Sequence, residues 1–542
     1  MQHPILVACA LGLILCLAWL GRADDLLIAD FEGPDWGDWT VTGTAFGAGP
    51  AQGTLPGQMI VTGHLGHGLV NSFVGGDGST GSLTSPSFTL QRSFINFLIG
   101  GGMHPGQACI NLLVDGKVVR TATGPNDKPG GTERLEWASW EVSDLLGQQA
   151  VIQIVDTATV GWGHINIDHI HQSYQALPLP DLEALMKVEH RYLNLPVKTG
   201  APVRRVQLYI DDKLLRDFDI EFADGEPDFW AFTDLSAFQG KELRLVVPQP
   251  PGSNPEAMAL VSQSDTIRGA EDLYRERCRP QFHFSSRRGW NNDPNGLVYH
   301  EGEWHLFYQH NPYGWSWGNM HWGHAVSRDL VHWEELPIAL YPRAYDDHCF
   351  SGSAVIDTEN TSGLGEPDNP VMAAFYTSTA RGEAMAYSLD KGRTFADWEG
   401  NPVVKHSGRD PKVIWYAPGG HWVMAVYDER PLENGEGVDQ AIAFYTSPDL
   451  KQWDYASRIV GYFECPELFE LPVQDSPGES RWVLYAANGE YALGQFDGEQ
   501  FTPDGPKKPY NWGNCFYASQ TFTNVPPEDG RRIQICWGTL AA

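Results

Sequence analysis

The sequence predicts an all-β protein in which a five-bladed β-propeller follows two β-sandwich modules. Three observations lead there. Short runs that alternate apolar and polar residues fill the first half of the chain, and such alternation marks strands with one buried face. A Ser-x-Asp turn followed by an aromatic residue recurs about every 60 residues in the second half. A set of polar motifs then recurs at nearly the same interval, in step with that turn. At 542 residues the chain exceeds one ordinary core, so several domains are expected.

The first 23 residues, MQHPILVACALGLILCLAWLGRA, carry an apolar run from Ile5 to Leu20 and end on Gly21-Arg22-Ala23. Small residues at those two positions predict a secretory signal cut near Ala23, and hence a secreted or periplasmic protein. A lipid attachment through Cys16 is disfavoured by the bulky Leu15 before it. No later stretch is long and apolar enough to span a membrane. Residues 25–175 contain SLTSPSFTL, INFLIG, INLLVDGKVV and AVIQIVD, short strands rich in turn residues between them, and are assigned to a β-sandwich, a candidate carbohydrate-binding module. The proline-bearing link ALPLPDLE opens a smaller module over 176–268, with VRRVQLYIDDKLLRDFDIEF and ELRLVV as its strands. The polar segment DTIRGAEDLYRERCRP is expected to be helical and to lead into the third region, 276–542.

That region repeats. SRDLVHW begins at Ser327, SLDKGRTF at Ser388 and SPDLKQW at Ser447, each following strand-like runs such as WHLFYQH, VMAAFYTS and HWVMAVYD. About four short strands in such a period is the pattern of propeller blades. Five blades of that size need roughly 300 residues, so the fifth is expected to be incomplete within the sequence.

Acidic side chains number 68 against 37 basic ones, a formal charge of -31, which argues against nucleic acid and anionic membrane surfaces as partners. A neutral substrate fits better, and 20 tryptophans offer flat apolar faces of the kind that cover sugar rings. Past the leader, Cys109, Cys278, Cys349, Cys465, Cys515 and Cys536 are widely spread with no C-x-x-C, so neither zinc nor any other cofactor is indicated. His321, His324 and His332 alternate along a strand-like run without a third-ligand pattern and read as structural. The oligomeric state is not written in the sequence.

The polar motifs locate the chemistry. Asp293 lies in WNNDPNGL, Ser351 in FSGS, Asp410 in GRDPK, Glu464 in FECPEL and Tyr517 in CFYASQTF, at steps of 58, 59, 54 and 53 residues. Asn, Asp, Pro and Gly in WNNDPNGL have backbone reasons to form a turn, and alone would mean no more. One motif at one phase of each blade means something else. Inner strands of a propeller line its axis, so equivalent positions converge, and three carboxylates from three blades would share one funnel.

WNNDPNGL, FYQHNP, FSGS, GRDPK and FECPEL, in this order, resemble glycoside hydrolase family 32, the five-bladed β-fructosidases. The resemblance implies cleavage of β-fructofuranosyl linkages in fructans, levan or inulin, or in sucrose. It implies Asp293 as nucleophile, Glu464 as general acid/base and Asp410 as the residue that grips fructose hydroxyls. Retention of configuration follows, with the two working carboxyls about 5 Å apart. Substrate contacts carried over by motif are Asn292, Gln309, Trp317, Phe350, Ser351 and Arg409, the last orienting Asp410 or the substrate. Asn291, Asn292 and the turn backbone are expected to stabilise the Asp293 anion, while Phe463 and Cys465 are expected to surround Glu464 with an apolar environment. Glu383 in RGEAMAYS stands where the family carries glutamine. Three other functions use the same features: a fructosyltransferase of the same fold, a non-catalytic sugar-binding propeller, and an inverting glycosidase of arabinose or xylose polymers, against which WNNDPNG and FECP argue.

Overall fold

A computed structural model describes residues 25–127, 131–177, 181–223, 225–247, 255–366, 368–432 and 438–538. The leader expected over 1–23 lies outside the described residues, as do 178–180 of the proline-bearing link. The protein is all-β: helix occurs among the described residues only as short 3-10 turns. Two compact units result, one built from the first β block and one holding the second block together with the third region.

In the first unit a five-stranded and a six-stranded antiparallel sheet enclose one apolar core. Strand Gln149–Asp156 shows why the alternation was legible: Ala150, Ile152 and Ile154 are buried, while Val151, Gln153 and Val155 between them are half-exposed. Successive side chains point to opposite faces, so every second residue enters the core.

In the second unit, residues 181–264 form a four-stranded sheet over a three-stranded one, around Leu193, Leu195, Val206, Leu208 and Leu245. Tyr313 of the third region completes that core, its ring stacked on Phe218 at 3.6 Å and 11°. The segment from Asp265 to Pro280 is not the helix its polar composition predicts. It holds a single 3-10 turn, Ala270–Asp272, entered through Gly269 at φ +72°, a left-handed residue that breaks helix propagation.

Five antiparallel sheets follow. Sheets I to IV begin on the strands Trp290–His300, Cys349–Asp357, Gly408–Tyr416 and Glu467–Pro472, and sheet V pairs Tyr517–Thr521 with Gln534–Trp537. The recurring Ser-x-Asp turn closes the third strand of sheets I, II and III at Ser327, Ser388 and Ser447. Each serine hydroxyl meets the aspartate two residues on, and each aspartate accepts further backbone N–H bonds. Such side-chain-to-backbone bonds replace the hydrogen bonds a chain loses when it leaves a sheet.

First strands of neighbouring sheets lie side by side, and sheet V returns to sheet I through Thr523, which exchanges backbone bonds with Leu297 and Tyr299 at 2.9 and 3.0 Å. Lys412 of sheet III pairs with Glu467 of sheet IV at 2.6 Å, and Thr521 of sheet V donates to the same carboxylate at 2.6 Å. Both charges are buried, so losing either partner would leave the other stranded, a cost of about 3–5 kcal/mol. All six described cysteines are free.

Candidate active site

Four of the five first strands depart from regular pairing where they carry a polar motif, and in sheet IV the motif residue Glu464 precedes the strand. The register shifts between Asn291 and Pro294, between Cys349 and Gly352, between Arg409 and Lys412, and between Tyr517 and Gln520. A bulge adds a residue on one strand and re-aims its side chain, which is how residues of a continuous strand come to meet side chains of neighbouring sheets. Asp410, Glu464 and Cys465 adopt φ of +67°, +52° and +42°, left-handed conformations that side chains other than glycine rarely take. Strain of this kind persists where the surroundings over-determine it.

The three acids meet at Cys465. Its backbone N–H donates to Asp410 Oδ2 at 3.1 Å, and its Sγ lies 3.5 Å from Asp410 Oδ2 and 3.8 Å from Asp293 Oδ2. Glu464 is its sequence neighbour. Ser351 donates to Asp293 Oδ2 at 2.7 Å and Asn292 Nδ2 to Oδ1 at 3.1 Å, while Asn292 is itself held by the Trp290 indole at 2.9 Å. The expected donor Asn291 faces away, its amide oxygen accepting from Ser286 at 3.2 Å, because the bulge at Asn291 sends consecutive side chains to different sides.

Glu464 does not have the apolar surroundings that Phe463 and Cys465 predict. Arg409 donates from both Nε and Nη2 to Oε1, at 3.0 and 2.6 Å, and the Tyr517 hydroxyl donates to Oε2 at 2.6 Å. Arg409, expected to orient Asp410 or the substrate, thus holds the neighbouring acid, with its guanidinium over the rings of Tyr427 and Phe463. Tyr517 shares the motif phase in the sequence, but nothing there showed which acid it would reach.

Burial raises the pKa of Asp293, and the negative charge of Glu464 adds to the effect against the opposing bonds from Ser351 and Asn292. Burial also pushes Asp410 up to about 8, reinforced by Asp293 and Glu464. Carboxylates crowded together cannot all ionise cheaply, so the cluster retains a proton well above the ordinary range. The folded chain therefore keeps the Asp410 proton to higher pH than the unfolded chain, whose value is near 3.8. This contribution to stability is complete below that value and is lost as pH rises toward about 8. Melting temperature followed against pH is expected to decline over this window, and Asp410→Asn to flatten the decline. An unchanged slope in the variant would refute the assignment.

Behind Asp410 runs a buried chain that the motifs did not disclose. The Asp410 N–H donates to Thr377 Oγ1 at 2.9 Å, Thr377 donates to Glu383 Oε2 at 2.8 Å, and Glu383 Oε1 meets His406 Nε2 at 2.8 Å. Burial works against charge on His406, but the bond and charge of Glu383, with Asp428 behind, hold its pKa above the ordinary value. Glu383 is fully buried, and through Thr377 it supports the Asp410 backbone.

The other expected contacts divide. Phe350 and Trp317 meet edge-on at 5.8 Å, and Trp317 is 57% exposed, whereas Trp322 is fully buried with its indole donating to Phe350 O. Gln309 is buried, its amide donating to the Cys349 carbonyl at 2.9 Å, which ties sheet I to sheet II. His321, His324 and His332 meet different partners: the Asn319 carbonyl, His305 and Asp329.

Residues 283–541 match the family model described as the glycosyl hydrolases family 32 N-terminal domain. This region belongs to glycoside hydrolase family 32. The chain is 43% identical over 291 residues to the levanase of Bacillus subtilis (strain 168), an alignment covering 49% of this chain and 41% of that one. It is 38% identical over 290 residues to invertase 1 of Saccharomyces cerevisiae, covering 48% and 53%, and 36% identical over 321 residues to the extracellular exo-inulinase of Aspergillus niger, covering 49% and 58%. Among solved structures, the β-fructofuranosidase from Schwanniomyces occidentalis complexed with fructosyl-erythritol is 36% identical, with a TM-score of 0.44 over 48% of this chain and 54% of that one. The chain spans about half the length of the relatives it matches.

Proposed function

We propose that this protein is an exported glycosidase that hydrolyses β-fructofuranosyl bonds of fructans, levan or inulin, or of sucrose, with retention of configuration. The observation that carries the reading is the meeting at Cys465 of Asp293 and Asp410, from two different sheets, with Glu464, from the bend that leads into a third. The five sheets act as the blades of a propeller, and the two N-terminal blocks as β-sandwich modules that serve the catalytic region.

In this reading Asp293 is the nucleophile. Its oxygens are fixed by Ser351 and Asn292, so the carboxylate is aimed before the sugar arrives. A bond forms between a carboxylate oxygen and the anomeric carbon as the glycosidic bond breaks, and Glu464 gives its proton to the departing oxygen. Water then attacks the fructosyl-enzyme, Glu464 takes a proton from it, and Asp293 is released. Arg409 and Tyr517 fix both oxygens of Glu464, so the same carboxyl serves both steps without turning away. Asp410, protonated or ionised, presents oxygens to the fructose hydroxyls.

Chromatography of the products from levan, inulin and sucrose, beside NMR of the first sugar released, tests the reading. Free fructose appearing first as the β-furanose is expected. No fructose from any of the three substrates would reject the activity, and first release of the α-anomer would reject the mechanism.

A further inference from the structure

A groove of about 580 Å³ lies between the second β block and the loop that joins the second and third strands of sheet I. One wall carries Val203, Asp219 and Glu221 of the second block, and the other Trp317, Tyr345 and His348 of the third region. A short run of contacts links its Trp317 and His348 wall to Asp293. Trp317 meets Phe350 edge-on, the His348 ring stacks against Phe350 from another direction, and the next residue, Ser351, donates to Asp293.

The walls are fixed to each other. Asn319 accepts from the Asp219 N–H at 2.9 Å and donates to the Asp219 carbonyl at 2.7 Å, so one side-chain amide clamps the Trp317 loop to the second block. Tyr345 donates to Asp219 Oδ2 at 2.8 Å, and Arg205 covers its ring at 4.0 Å. Stacking of Tyr313 on Phe218 anchors the start of the same loop. A surface held this way needs little ordering when a ligand arrives.

Its chemistry points to one kind of ligand. No lysine or arginine lines the groove, whereas Asp219, Glu221 and Asp346 do, so an anionic ligand would be repelled. Carboxylates accept hydrogen bonds from hydroxyl groups, and the exposed face of Trp317 suits the C–H faces of sugar rings. The volume falls in the ordinary range for ligand sites of about 300–1,000 Å³.

We infer that this groove binds further sugar units of a neutral fructan chain whose cleaved bond lies at the three acids, making the second β block part of the substrate site. The inference rests on the fructosidase reading and adds to it a preference for longer chains with a structural origin outside the family region. Sugar already held at the acids brings its neighbours to the groove at high effective concentration, so even a weak contact there tightens binding.

Binding is measured without turnover on the full chain carrying Asp293→Ala, by calorimetric titration with sucrose and progressively longer fructo-oligosaccharides. Dissociation constants are compared with and without Val203→Trp, which fills the groove from an exposed strand end. Longer sugars are expected to bind about tenfold more tightly than sucrose, and Val203→Trp to remove that gain while leaving sucrose unchanged. Absence of a length effect, or the same length effect in the variant, overturns the inference. Circular dichroism checks folding, and if Val203→Trp does not fold, Asp346→Ala is put through the same comparison, where a reduced gain supports the groove and an unreduced one rejects it. Failure of the fructosidase reading shows elsewhere, as no fructose released from any substrate by the unsubstituted chain.

Discussion

Asp293→Ala is expected to lower kcat on sucrose or fructan by at least about 10⁴-fold, the scale on which enzymes lose turnover when an attacking group is removed. The melting temperature should hold or rise. These two outcomes have one cause. Asp293 is a carboxylate placed against two others, and burial and the charge of Glu464 both oppose its ionisation. That arrangement is costly to the fold and of use only to a reacting sugar. Truncation removes the reacting atom together with a source of repulsion, and Asp410, whose raised pKa owes part of its shift to Asp293, should titrate lower in the variant. Fructose release, thermal unfolding and titration of Asp410 by NMR check the three parts. Near-normal turnover would remove Asp293 from the mechanism, and a large fall in melting temperature would show that it is a structural turn residue instead.

Glu464→Gln is expected to lower kcat by about 10²- to 10⁴-fold on sucrose, whose leaving oxygen needs a proton. The loss should be far smaller for a fructosyl substrate whose leaving group departs as a stable anion. Glutamine keeps the shape, its carbonyl oxygen can still accept from Arg409 and its amide can donate to the Tyr517 oxygen, so the contrast between substrates reads proton transfer and not misfolding. Equal losses on both substrates would mean that Glu464 acts through position or charge alone.

Much of the third region was legible because its signals are local. Ser327, Ser388 and Ser447 mark the same turn in three sheets since a serine and an aspartate two residues apart can satisfy a turn's backbone wherever they occur. The spacing of Asp293, Asp410 and Glu464 was legible for a related reason: one residue per repeat, at one phase, comes to one place, beside Cys465. Partners of those acids were not legible. Arg409 is adjacent to Asp410 in sequence yet bonds Glu464, because the bulge at Asp410 turns consecutive side chains in different directions. Glu383 stands out in the sequence only as a replaced glutamine. The structure explains it through His406, a residue 23 positions away whose Nε2 meets its carboxyl. The expected helix before the third region failed for the opposite reason, since polar composition said nothing of the left-handed turn at Gly269.

By itself the sequence determined an all-β chain, the order of its strand blocks, the repeat in the third region and the three acids that a shared phase brings together. Periodicity suffices for these, because burial of alternate side chains and closure of repeated turns depend on near neighbours. Only the tertiary structure decided which donor fixes each acid, that the second β block joins the third region through Asn319 and Tyr313, and that a groove opens beside Trp317. Those outcomes depend on φ values, bulges and contacts between residues as many as 172 positions apart, where a change in direction of one strand residue exchanges one partner for another.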